Sequence, residues 1–155
     1  IIGAGCHAKA TNSLFHSIKN FIPFYTPGVN GYVDVRDVAR AMVLLMESNR
    51  SSERFVLNSE NLPMKAFFSK AADILNKPHP SIAIGAPVLN AIAWLDGLRS
   101  ILTKSKPLIT RENARAAMSK SYYSAEKFEN AFGYRFIPIS ESLAEAFRIL
   151  DGQKK

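Results

Sequence analysis

The feature that most constrains this chain is its punctuation. Short β-prone runs alternate with helix-period stretches from end to end, and prolines or glycines separate them. Ile1-Ile2-Gly3-Ala4-Gly5 reads as the end of a buried strand running into a glycine loop. A helix is expected from Thr11 or Asn12, with Leu14, Phe15, Ile18 and Ile22 on one face, and it must stop before Pro23. Phe24-Tyr25-Thr26 is a short β run, Pro27-Gly28 a turn, and Tyr32-Val33 extended again. Asp34 is placed to cap a second helix, with Asp37 near its positive end, a buried stripe of Val38, Met42 and Leu45, and Asn49 at its close.

A strand is expected over 54–58 and a helix from Pro63 carrying Met64, Phe67, Phe68, Ala71 and Leu75 on one face. The run 77–80 breaks that helix, 81–84 reads as a strand, and Pro87 opens a long helix with Leu89, Ile92, Leu95 and Leu102. Further helices are expected from Thr110, Ser124 and Ser140, each at a hydroxyl cap. The pattern is α/β, mostly helical with several short strands, too few to complete a sheet. Residues 1–152 are read as a single domain, and 153–155 as a loose tail.

Composition narrows the function classes. At 155 residues with 47% hydrophobic side chains, ten Phe and five Tyr, the chain can bury a core and is not disordered. Its single cysteine, Cys6, excludes an internal disulfide and a cysteine-based zinc site, and fits a reducing, cytoplasmic setting. No apolar run is long enough to span a bilayer, and no signal-peptide pattern is visible. The chain starts at Ile1, as a strand already in progress, which reads as the remainder of a longer protein.

Candidate chemistry is sparse. Gly3-Ala4-Gly5-Cys6-His7-Ala8 fits G-x-G-x-x-A, yet no acidic residue stands about twenty positions on, near Phe24 and Tyr25, and the helix starts too late. A strand-exit loop is the stronger reading. Tyr123 and Lys127 form Y-x-x-x-K, but a cap at Ser124 would leave Tyr123 outside the helix. His7, His16 and His79 lack metal-ligand spacing, and only His7 is a pocket candidate. Between Asp96 and Lys120 lie six basic residues against two acidic ones, and the net charge is +7. No nucleic-acid motif accompanies them, so a solvated face is the plainer reading. The apolar run 82–98 fits either a membrane-surface helix or a lid or domain-packing helix.

The run Tyr32-Val33-Asp34-Val35-Arg36-Asp37-Val38-Ala39-Arg40-Ala41 resembles the V-x-D-V-A-x-A segment of extended short-chain dehydrogenases/reductases. Lys106 to Thr110, Tyr123 to Lys127 and Phe132 to Pro138 follow in the order seen at the C-terminal end of the branch with dihydroflavonol reductases and steroid dehydrogenases. The resemblance implies the C-terminal portion of a Rossmann-type, NAD-dependent epimerase/dehydratase-family enzyme, with orphan sheet strands near 1–3 and 54–58. It implies no catalytic residue and no metal ligand in this chain, with the fingerprint and catalytic Ser, Tyr and Lys lying before Ile1. NAD or NADP would belong to the full-length parent, touched here by Ile2, Gly3 and Ser13. Cys6, His7, Asn12 and Phe15 are the implied substrate contacts.

The expected substrate is a small carbonyl or alcohol. The sugar-nucleotide branch commonly places Arg-Asp where this chain has Asn30-Gly31, although Arg36 nearby keeps a diphosphate open. A homo-oligomer, most simply a dimer, is expected, with no nucleic-acid partner. The competing class is a non-enzymatic basic helical module that binds nucleic acid or a membrane surface.

Overall fold

The computed structural model describes residues 1–3, 18, 23–103 and 111–152. In chain order these form β1 (Phe24–Tyr25), β2 (Val29–Tyr32), α1 (Val35–Glu47), β3 (Glu60–Pro63), α2 (Met64–Ile74), β4 (Ile82–Ala83), α3 (Ala86–Thr103), α4 (Arg111–Met118), α5 (Glu126–Phe132) and α6 (Ile139–Gly152). The expected α/β architecture, mostly helical with short strands, is what the chain adopts. β2 pairs antiparallel with β3, Val29 opposite Pro63 and Tyr32 opposite Glu60. β1 pairs parallel with β4, Phe24 opposite Ile82. Pro63 sits at the end of its ladder, where its missing N–H costs nothing, and the chain turns directly into α2 as Met64 N–H donates to Gly28 O at 3.0 Å.

The main core lies between α2 and α6. Phe67 and Ala71 of α2 meet Ile139, Leu143, Ala146 and Phe147 of α6, with Ile2 and Ile18 beside them. Tyr32 stacks on Phe67 at 4.4 Å between ring centroids, which joins the β2–β3 ladder to this core. A second, aromatic cluster surrounds the fully buried Phe128, with Phe55, Phe132, Tyr134 and Phe136 at 4.8–5.9 Å. α5 ends at Gly133 with φ +59°, a left-handed cap that glycine adopts without strain.

Polar side chains hold the connections. Ile2 threads beside Val33 to Val35, its N–H donating to Val33 O at 2.8 Å and its carbonyl accepting from Val35 N–H at 2.8 Å. Asp34 caps α1 as expected, accepting from Arg36 N–H at 2.7 Å. The Arg36 guanidinium grips the same carboxylate through Nε at 3.0 Å and a terminal nitrogen at 2.9 Å. Asp37, fully buried, accepts from the Tyr134 hydroxyl at 2.7 Å and from Ile137 N–H at 2.9 Å. Glu60 Oε1 accepts from Ile139 N–H at 2.8 Å and so caps α6 from another strand.

Three sequence expectations are corrected. Residues 53–58 form no strand; the ladder uses 60–63 instead, while Phe55 points into the rings of Phe128 and Phe132. The buried stripe of α1 is not Val38, Met42 and Leu45. Its deepest residues are Asp37 and Ala41, because the Asp37 hydrogen bonds select that arc, and Met42 is 59% exposed. The caps of the later helices also differ: Ser124 Oγ does accept from Glu126 N–H at 3.3 Å, whereas α6 starts before Ser140.

These ties carry two expected outcomes. Asp37→Ala strands the Tyr134 hydroxyl and the Ile137 amide, so urea unfolding should show a loss of about 2–4 kcal/mol, while Tyr134→Phe should cost only about 0.5–1.5 kcal/mol. Equal losses would mean that the carboxylate is not the shared acceptor. For Asp34, burial pushes the carboxyl pKa up, but the hydrogen bonds from Arg36 and Ser142 outweigh it and hold it below 3.8. A depressed folded pKa adds stability above the unfolded value, lost as pH falls through the folded one. The urea midpoint should therefore drop below about pH 4, and Asp34→Asn should flatten that drop while keeping the cap.

Candidate functional site

Polar side chains converge where β2, β3 and the segment before α5 meet. Val29 N–H donates to Ser119 O at 2.9 Å and Ser121 N–H to Val29 O at 2.8 Å, which lays residues 119–121 along β2. Asn61 then clamps Tyr123 reciprocally, its Nδ2 donating to Tyr123 O at 2.8 Å and its Oδ1 accepting from Tyr123 N–H at 3.0 Å. Asn58 Nδ2 donates to the same carbonyl at 3.1 Å, and its Oδ1 is buried without a partner. Gly31 lies directly beneath. A Cβ there would strike the Asn58 carboxamide and the Tyr123 ring, so the close approach itself requires glycine.

On the other side of β2, Met64 sulfur accepts from the Tyr32 hydroxyl at 3.2 Å and, more weakly, from Asn30 Nδ2 at 3.6 Å. Burial pushes the Tyr32 pKa up, only partly offset by Asn30, and burial together with the bond to Asp37 pushes Tyr134 up. Both phenols therefore stay protonated at neutral pH and act as hydrogen-bond donors rather than as bases.

The Y-x-x-x-K pair does not assemble a proton-transfer site. Tyr123 precedes α5, and the Lys127 ammonium is taken by Glu53 Oε2 at 2.9 Å, by Arg54 O at 3.3 Å and by the face of Phe55 at 4.6 Å. His79 pairs with Asp73 at 2.7 Å on the surface. Among the described residues no group of three His, Cys, Asp or Glu side chains could hold a metal ion. Nor is any helix among them long and apolar enough to cross a membrane.

Of the implied contact residues, Ile2 and Gly3 are placed at the corner above α1. Ile2 is buried with its N–H spent on Val33, which leaves it no free amide for a cofactor. A Cβ on Gly3 would collide with the Val35 side chain, so this residue too is glycine by close approach. Ser13, Cys6, His7, Asn12 and Phe15 lie outside the described residues. Sequence reasoning missed Asn58, Asn61 and Met64, whose roles depend on partners more than thirty positions away. The glycine at 31 inside a β run was the one signal that could have pointed there.

No protein-family model matches the chain, and no curated protein does. Solved structures do. The crystal structure of gox2253 superposes with a TM-score of 0.73 at 19% identity over 98% of this chain and 47% of that one. The Bordetella bronchiseptica enzyme WbmG, in complex with NAD and UDP, gives a TM-score of 0.63 at 14% identity over 98% and 42%. RMD from Pseudomonas aeruginosa, complexed with NADPH, gives 0.61 at 14% over 98% and 46%. The chain thus spans less than half the length of each solved chain it matches. At these identities the likeness is one of fold alone: the chain has the α/β architecture of part of each of these solved chains.

Proposed function

We propose that this chain is the substrate-binding, C-terminal portion of an NAD(P)-dependent reductase, dehydrogenase or epimerase, and that it acts on a small carbonyl or alcohol only as part of that longer enzyme. The observation that carries this reading is the superposition of nearly the whole chain on less than half of solved chains, two of which hold NAD or NADPH. The V-x-D-V-A-x-A run, Val35 to Ala41, supports it independently, since its Val35 N–H is bonded to Ile2 O at 2.8 Å and its Asp37 is fully buried. In this reading hydride transfer is the dinucleotide's chemistry, and the present residues shape the substrate side.

Two features favour a small substrate over a nucleotide sugar. Arg36 is held bidentately on Asp34 and is not a free arm for a diphosphate. Asn30 and Gly31 are locked in the β2–β3 ladder, where the sugar-nucleotide branch carries Arg-Asp.

The isolated chain should bind NADH and NADPH poorly and turn neither over, because the described residues offer no phosphate loop or acid/base pair. Titration of both dinucleotides against protein fluorescence checks this, and tight saturable binding would overturn it. Extending the chain upstream should then supply a G-x-x-G-x-x-G and a catalytic Y-x-x-x-K, together with dinucleotide binding.

Self-association belongs to the same reading. Val35, Met42, Val43 and Met46 share the outward face of α1, with Met46 82% exposed, and Ile1 is exposed beside the Ile2 edge. Burial of these groups between two copies gives a dimer in the simplest case. Light scattering over a dilution series should show it at tens of micromolar (about that range suits weak interfaces), and Met46→Lys should shift it to monomer. A monomer throughout would sink this placement of the sticky face.

A further inference from the structure

Of the four methionines, Met64 is set apart by what touches its sulfur. It opens α2 directly after the β2–β3 ladder, and two side chains of β2 reach it. The Tyr32 hydroxyl donates to Met64 Sδ at 3.2 Å and Asn30 Nδ2 at 3.6 Å. Among the described residues no donor lies on the sulfur of Met42, Met46 or Met118. A thioether is a weak acceptor, and two donors aimed at one gain little from it. The same pair suits a stronger acceptor at that place, and oxidation of the sulfur makes one.

The surroundings leave the sulfur reachable and hold the phenol in place. Asn30, Tyr32 and Met64 are all partly exposed, so this corner is open to a molecule little larger than water. The Tyr32 ring is stacked on Phe67 at 4.4 Å and cannot swing away from Met64 without leaving the core. Its hydroxyl, pushed up by burial, carries its proton at neutral pH.

We propose that Met64 is a site of reversible oxidation to the sulfoxide by hydrogen peroxide, with the Tyr32 hydroxyl as the proton donor. One sulfur lone pair accepts from Tyr32, and the other attacks the nearer peroxide oxygen. The sulfur–oxygen bond forms as the O–O bond breaks, and sulfur gives up two electrons to the peroxide. The departing hydroxide takes the Tyr32 proton and leaves as water, while the proton of the new sulfur-bound hydroxyl returns to Tyr32. One thioether and one peroxide thus become one sulfoxide and one water. The sulfoxide oxygen then accepts from Tyr32 and Asn30, so both donors stay satisfied at the head of α2. A thiol-dependent sulfoxide reductase restores the thioether. None of this depends on the reading of the chain as a dehydrogenase part.

Peptide mass spectrometry on protein exposed to hydrogen peroxide, sampled over time, gives a separate rate for each methionine. Met46 is 82% and Met42 59% exposed, so access alone ranks both ahead of Met64. In the folded chain Met64 should instead oxidise at least as fast as either, and the four rates should converge in concentrated urea. That order needs no variant. Tyr32→Phe keeps a ring on Phe67 and removes only the hydroxyl. It should slow Met64 at least about fivefold, a modest share of what a placed acid supplies, while Met42 and Met46 keep their rates. Methionine sulfoxide reductase with dithiothreitol should return the Met64 peptide to its unoxidised mass without denaturant. Slower oxidation of Met64 than of both exposed methionines would overturn the proposal. So would an unchanged or faster Met64 rate in Tyr32→Phe, which would make the hydroxyl a shield for the sulfur. A Met64 sulfoxide that the reductase leaves in place would overturn its reversibility.

Discussion

One buried carboxylate ties the two ends of this fold together. Asp37 sits in the first turn of α1, yet its two donors come from Tyr134 and Ile137, 97 and 100 residues further along the chain. A buried charge of this kind is tolerated only with good partners, and here it accepts a phenol and a backbone amide. Ser59 adds a bond to Ile137 O at 2.7 Å, and Glu60 caps α6 at Ile139. The segment 134–138 has no regular secondary structure, and these side chains do for it what a ladder does for a strand. The position of α6, and with it the main core against α2, follows from them.

The helices were legible because their signals are local. Proline before α2 and inside the first turn of α3, aspartate before α1 and glycine after α5 all act within a few residues of where they stand. The ladder was less legible. Glu60-Asn61-Leu62-Pro63 has neither alternation nor β-branched residues, and it is a strand only because β2 lies alongside it. The more strand-like Phe55-Val56-Leu57 instead feeds an aromatic cluster. The phase of α1 was hidden as well. Apolar residues cover a broad arc of that helix opposite Arg36, Arg40 and Glu47, and the bonds to Asp37 turn one edge of that arc inward rather than its middle.

The candidate site was legible at one end and illegible at the other. Asp34 and the glycines at 3 and 31 could be singled out from sequence, because a cap and a close approach both restrict residue type. Asn58, Asn61 and Met64 look like ordinary loop and helix residues until Tyr123 and Tyr32 are brought against them. Arg36 shows the reverse effect. Its type suggested an anion ligand, whereas its geometry makes it the partner of the cap beside it.

The long separations at Asp37 bear on the order in which this chain becomes structured. During vectorial synthesis the β2–β3 pairing and α2 can form once residue 74 has emerged, since the bonds between the two strands and along the helix are internal to that stretch. Asp37 must then stay hydrated until Tyr134 and Ile137 appear. The first turn of α1 therefore cannot close over its carboxylate until the last quarter of the chain arrives, and contacts of such high sequence separation are the slow ones to form. A ribosome that stops short of Ile139 would release a chain with its ladder made but its principal core open, the kind of species that chaperones hold.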